Sequence, residues 1–181
     1  MAFDGANIWV TNTGSNNVTK LRASDGASLG TFAVGNQPRS AAFDGRHIWV
    51  TNRLSNNVMK LRASDGANLG TFAVGVFPLG VAFDGVNIWV VNANSNNVIK
   101  LRASDGTNRG TFAVGSGPRA VAFDGANMWI ANTMSNNVTK LRARDGANLG
   151  TFSVGSAPEN LAFDGANMWV SNSASDTVSK L

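Results

Sequence analysis

Side chains that move protons, hold metals or attack carbon are scarce in this 181-residue chain. It has one His (His47), one Glu (Glu159), no Cys and no Tyr. His47 could serve as a general base, because imidazole titrates near neutral pH. It stands beside a turn, however, at a position where Asn recurs as Asn7, Asn87, Asn127 and Asn167. A His that stands where sister units have Asn is expected to be solvated or structural, not catalytic. Carboxylates such as Asp44 and Asp65 could hold a cation, but each is followed by Gly. Asp-Gly is a turn signal in which the carboxylate accepts bonds from nearby backbone amides. The spacing of these Asp residues does not match a calcium loop. Without Cys there is no thiolate metal site and no disulfide. The inventory points away from an enzyme: no catalytic residue, no metal ligand and no cofactor is expected.

Composition narrows the partners. The apolar fraction is 43% and the charged fraction 14%, with 20 Gly, 5 Trp and 10 Phe, as in a folded domain with many turns. The net charge is +4, yet the basic residues are dispersed and form no run of the kind a nucleic-acid arm shows. The recurrent Lys-Leu-Arg triplets, such as Lys20-Leu21-Arg22, read as a dispersed outer belt partly offset by Asp25, Asp65, Asp105 and Asp145. Binding of nucleic acid through such a belt would be weak and salt-dependent, so no nucleic-acid partner is expected. No apolar run approaches the roughly 18 residues of a membrane span, and no membrane partner is expected. The first residues, Met1-Ala2-Phe3-Asp4-Gly5, do not read as a signal peptide. The sequence leaves the location of the protein unassigned.

What positions these residues is a repeat. Phe3, Phe43, Phe83, Phe123 and Phe163 are spaced by 40, and so are Trp9, Trp49, Trp89, Trp129 and Trp169. Lys20, Lys60, Lys100, Lys140 and Lys180 keep the same step. Each unit predicts four short strands. In residues 37–75, Pro38 opens a strand that runs to Phe43, and Asp44-Gly45 turns the chain. Ile48–Thr51 is the second strand, Val58–Arg62 the third, and Leu69–Val74 the fourth, after a second turn at Asp65-Gly66. Gly supplies the positive φ that tight hairpin turns need, and the strand segments are β-branched and aromatic. Four strands per 40 residues is the unit of a β-propeller blade. The strands carry apolar residues on both faces, as a sheet covered on each side by a neighbour requires. Trp in the middle of each second strand is therefore expected in the core between blades, and not as a stacking platform for a ligand.

The expected fold is all-β: one propeller domain over residues 1–181, with four-stranded antiparallel blades. Its units are 2–41, 42–81, 82–121, 122–161 and the partial 162–181, so the last blade lacks its outer strand. Ile8-Trp9-Val10-Thr11-Asn12, then Ser15-Asn16-Asn17-Val18, Val34-Gly35 and Pro38, resembles the YVTN family of propeller repeats. It is also similar to the blades of streptogramin-lyase-like and NHL-type propellers. The resemblance implies a fold more than an activity, since propellers host many functions. It also allows an exported parent protein. Streptogramin lyases, as the resemblance implies, need a set of His and Glu with a metal near the channel, and this chain cannot supply several His.

Comparison of the units locates a candidate binding face. The Asp-Gly turns barely vary. The loop from second to third strand does vary (Arg53-Leu54 against Ala93-Asn94, for example), and so does the lead-in to each first strand. These two variable connections share one face of the ring, where an unidentified ligand or protein is expected. Arg39, Arg119 and Glu159 are placed near the channel mouth and Arg53 further out. Free drift of loops explains the same variation without a ligand.

The reading is a non-catalytic propeller, a binding or scaffold module, with an amplified or engineered repeat lacking a selected ligand as one form of it. Alternatives are a degenerate relative of the metal-dependent lyases, and a structural protein that self-assembles. Closure is the open issue at this level. A five-blade ring is the favoured arrangement, against an open arc or a homo-oligomer pairing through unpaired blade edges.

Overall fold

The computed structural model describes residues 1–181 as five antiparallel sheets and no helix. The first four sheets have four strands each and the last has three. The second blade shows the pattern. Its inner strand is Pro38–Phe43, followed by His47–Asn52, Asn57–Arg62 and the outer strand Asn68–Ala73. Each strand pairs with the one before it in sequence, so every blade is an up-and-down meander. The first blade begins with a two-residue inner strand, Ala2–Phe3, and the fifth ends on its third strand, Thr177–Lys180. The predicted strands are therefore present: the first keeps its predicted bounds, the second and third gain a residue at one or both ends, and the fourth starts and ends one residue earlier.

Register sorts the side chains onto two faces. Within the second blade Ile48 lies opposite Leu61 and Val50 opposite Met59, while Trp49 lies opposite Lys60. The Trp face of one blade meets the Ile–Val–Leu face of the next. Trp9 and Val18 pack with Ala41, Ile48, Val50, Met59 and Leu61, and equivalent clusters recur at the next three junctions. Trp9, Trp49 and Trp89 are fully buried, and each of the first four Trp rings lies 5.3–5.6 Å from the Phe of its own outer strand. Burying a large apolar side chain this way stabilises by about 2–3 kcal/mol. In the second and third strands of an interior blade both faces are dry, which is why these strands do not alternate cleanly between apolar and polar; the outer strand is largely exposed.

Polar side chains lock the same junctions. Asp44 accepts bonds from the backbone amides of Arg46 and His47 and from the Trp49 indole at 2.8 Å. The turn carboxylate thus ends the hairpin and satisfies the one polar atom of the core Trp. The lysines depart from the solvated belt suggested by the sequence. Lys20, Lys60 and Lys100 are buried, because each reaches across to the next blade and donates to two turn carbonyls. Lys60 Nζ bonds Ala103 O at 2.8 Å and Ser104 O at 3.1 Å, and lies over the Trp49 ring. Two carbonyl acceptors and a π-face replace the water that burial removes. The arginines of the triplets do stay outside, paired with the turn aspartates, as Arg62 is with Asp65 at 2.8 Å.

The five-blade ring favoured by the sequence does not form: the sheets make an open arc. The inner strands pack in succession along the arc, and no comparable packing joins the first to the last. Exposure shows the same. Trp169 of the fifth blade is 38% exposed and Val178 is 64% exposed, whereas Val18, Val58, Val98 and Val138 are all fully buried. The physical reason is that the Trp–Phe layer sets the thickness of each junction and hence the turn per blade. Four such junctions do not carry the chain through a full circle. No helix is long and apolar enough to cross a membrane.

Candidate functional site

Each inner strand of blades two to five opens with a buried Pro, and the residue after it differs from blade to blade. That column reads Arg39, Leu79, Arg119 and Glu159. All four side chains line a single cavity of about 480 Å³ on the inner side of the arc, with Ser40 and Asn160 from the next column. Gly80 belongs to the same wall: a Cβ there would stand 2.8 Å from the Arg119 carbonyl oxygen, so Gly lets neighbouring inner strands approach.

The cavity carries two guanidinium groups and one carboxylate. Arg119 Nη1 lies 3.2 Å from Glu159 Oε1, and both side chains remain about a third exposed (36% and 30%). A pair this wet is worth little to stability, on the order of 0–1 kcal/mol. Its effect is on charge: Glu159 offsets Arg119 and leaves Arg39 uncompensated, so the charged side chains of the cavity sum to a net positive charge. Arg, with its planar fork of donors, suits carboxylate or phosphate.

Three of the four residues singled out in the sequence are thus brought together, and Arg53 is not among the lining residues. Arg53 lies on the loop between second and third strands, where it donates to the Gln37 side chain and sits 4.5 Å over the Phe77 ring. Phe77 has φ of 63°, a left-handed conformation unusual for an aromatic residue. Its amide is held by the Asn56 side chain at 2.9 Å. The contributions of Leu79, Ser40 and Asn160 were not singled out in the sequence. The signal that could have found them was the variability of the inner-strand columns, in contrast to the near-constant strands two and three.

His47 takes the place of the recurrent Asn. Its Nδ1 lies 3.1 Å from Asp44 Oδ2, as Asn7 Nδ2 lies 3.1 Å from Asp4 Oδ2 in the first blade. It is a turn residue remote from the cavity. No three His, Asp or Glu side chains converge anywhere in the chain in a way that could hold a metal ion. A second hollow of about 640 Å³ lies on the opposite side, between the third and fourth blades, and includes Asp84, Lys100, Arg142 and Arg144. Asp84 and Lys100 there are the same turn and junction residues that every blade carries. Arg144, where other units have Ser, and Val86, where they have Ala or Arg, distinguish the hollow from the other junctions.

No protein-family model matches the sequence, and no curated protein matches it. Several solved structures are similar in fold. A catalytically inactive virginiamycin B lyase from Staphylococcus aureus, with quinupristin, superposes with a TM-score of 0.82 at 20% identity, over 96% of this chain and 61% of that one. Hydrazine synthase of Kuenenia stuttgartiensis gives 0.81 at 22% identity, over 94% and 53%. A functionally unknown protein from Desulfotomaculum acetoxidans gives 0.80 at 17% identity, over 98% and 66%. This chain therefore spans about half to two thirds of the length of these structures. At such identities the likeness concerns the fold alone: this chain has the repeat fold of a β-propeller, similar to that of streptogramin B lyase.

Proposed function

We propose that this protein is a non-catalytic binding module with blades of the YVTN type, and that it holds a small anionic ligand in the inner-strand cavity. The observation that carries this reading is convergence. In a repeat whose strands two and three are nearly constant, the repeat-specific charges Arg39, Arg119 and Glu159 meet in one hollow. The excess of guanidinium over carboxylate selects a carboxylate or phosphate. The thin acid–base inventory, with His47 engaged at a turn, supports binding without turnover.

The test is titration with a panel of small carboxylates and phosphate esters, followed by calorimetry. A member of the panel binds the native chain, and the double substitution Arg39→Ala, Arg119→Ala weakens it at least tenfold, about 1.4 kcal/mol. Arg53→Ala leaves that affinity unchanged. Absence of binding across the panel, or an unaltered affinity in the double variant, removes the proposal. Turnover of quinupristin by the native chain would overturn its non-catalytic part.

A further inference from the structure

The two ends of the arc expose opposite faces of the same kind of junction. At each of the four internal junctions, a Trp face packs on an Ile/Met–Val/Ile–Leu face. The fifth blade presents its Trp face to solvent, with Trp169 38% and Val178 64% exposed. The first blade presents the opposite face. Ile8, Val10 and Leu21 are partly exposed there, and Phe3 is 55% exposed. Their counterparts Ile48, Val50 and Leu61 are buried, all at 1% exposure or less.

We propose that these end faces join head to tail between copies of this chain. The occupant of the exposed Trp face is the first blade of a second copy, seated as the second blade is on the first. The argument is continuity with an interface that the molecule already makes four times. The apolar partners match in kind: Ile8, Val10 and Leu21 repeat the Ile48, Val50 and Leu61 that receive Trp9. The polar partners match too. Lys20 donates to Ala63 O and Ser64 O of the following blade. Lys180, which is exposed beside Trp169, stands in the same register to Ala23 and Ser24 of the second copy's first blade. The contact is face to face, which differs from pairing through blade edges. It is also heterologous, so successive copies close into a ring or grow as a filament according to the turn per junction. The fifth blade has no outer strand and hence no Phe against Trp169, which makes this junction weaker than the internal ones.

Light scattering after size-exclusion chromatography, over a range of protein concentrations, tests the proposal. The native chain is expected to exceed the monomer mass as concentration rises. Val178→Asp disables the Trp face and Ile8→Asp the opposite face. Each variant alone is expected to stay monomeric while keeping the native circular dichroism spectrum. An equimolar mixture restores one intact junction and is expected to give dimers and nothing larger. A native chain that is monomeric throughout, self-association of either variant alone, or a mixture that stays monomeric overturns the proposal. Val178 is already 64% exposed, so its replacement leaves the fold in place even if Ile8→Asp does not.

Discussion

At the scale of single residues, one carboxylate per blade does the work of a cap and a core partner together. Burial raises the pKa of Asp44 as the largest single influence. The bonds it accepts from the Trp49 indole, the Arg46 and His47 amides and the His47 ring together outweigh burial, and the net shift is downward. Asp4 and Asp124 are lowered by the corresponding bonds, again against burial. A carboxyl whose folded pKa lies below its unfolded value, near about 4, stabilises the fold fully above that value. That stability is lost as pH falls through the folded pKa. The melting temperature is therefore expected to be insensitive to these groups near neutrality and to drop below about pH 4. Asp44→Asn melts lower than the native chain at pH 7, and the gap narrows in acid. A gap that is the same at pH 3 and pH 7 would show that the Asp44 charge contributes nothing.

The element that matters most is the third strand, because it ties one blade to the next. Lys60 joins its own blade to the turn carbonyls of Ala103 and Ser104, and it is 6% exposed. Lys60→Met keeps the aliphatic stem but removes both charge-assisted bonds, at an expected cost of about 1–3 kcal/mol. Lys180→Met, on a third strand with no following blade in the chain, is expected to cost almost nothing in a dilute, monomeric sample. Urea denaturation of the two variants makes the comparison. Equal costs would mean that the cross-blade bond is not the source of the effect.

For the whole molecule, the decisive feature is that the arc is open. The five Trp residues are equivalent in sequence, and only their place along the arc distinguishes them. Trp89 is fully buried between two blades, and Trp169 is 38% exposed on the last. Trp89→Ala is expected to cost about 3–5 kcal/mol, as for a large core side chain. Trp169→Ala is expected to cost clearly less, since 38% of its surface already faces solvent. Thermal denaturation at low protein concentration measures both. A loss at Trp169 as large as that at Trp89 would mean that the ring closes in solution. Openness also gives the molecule two surfaces that a closed ring would lack.

The division between sequence and tertiary structure follows from the range of the forces involved. Strands, turns and the dry faces were legible because they rest on local features: Asp-Gly at the hairpins, β-branched runs between them, and Trp at a constant step. Arg39, Arg119 and Glu159 were also legible as a group, because they vary at one column of an otherwise near-constant repeat and the repeat places that column at one level of the inner strands. Two things were not. Lys60 reads as an exposed cation until the next blade supplies Ala103 and Ser104, acceptors 43 and 44 residues away. Closure was misjudged for a related reason. The turn per blade is set by the fit of Trp and Phe against Ile, Val and Leu at each junction, and small angles added over several junctions decide whether the ends meet. That sum depends on three-dimensional packing and has no counterpart in residue spacing, so the blade could be read from the chain and the circle could not.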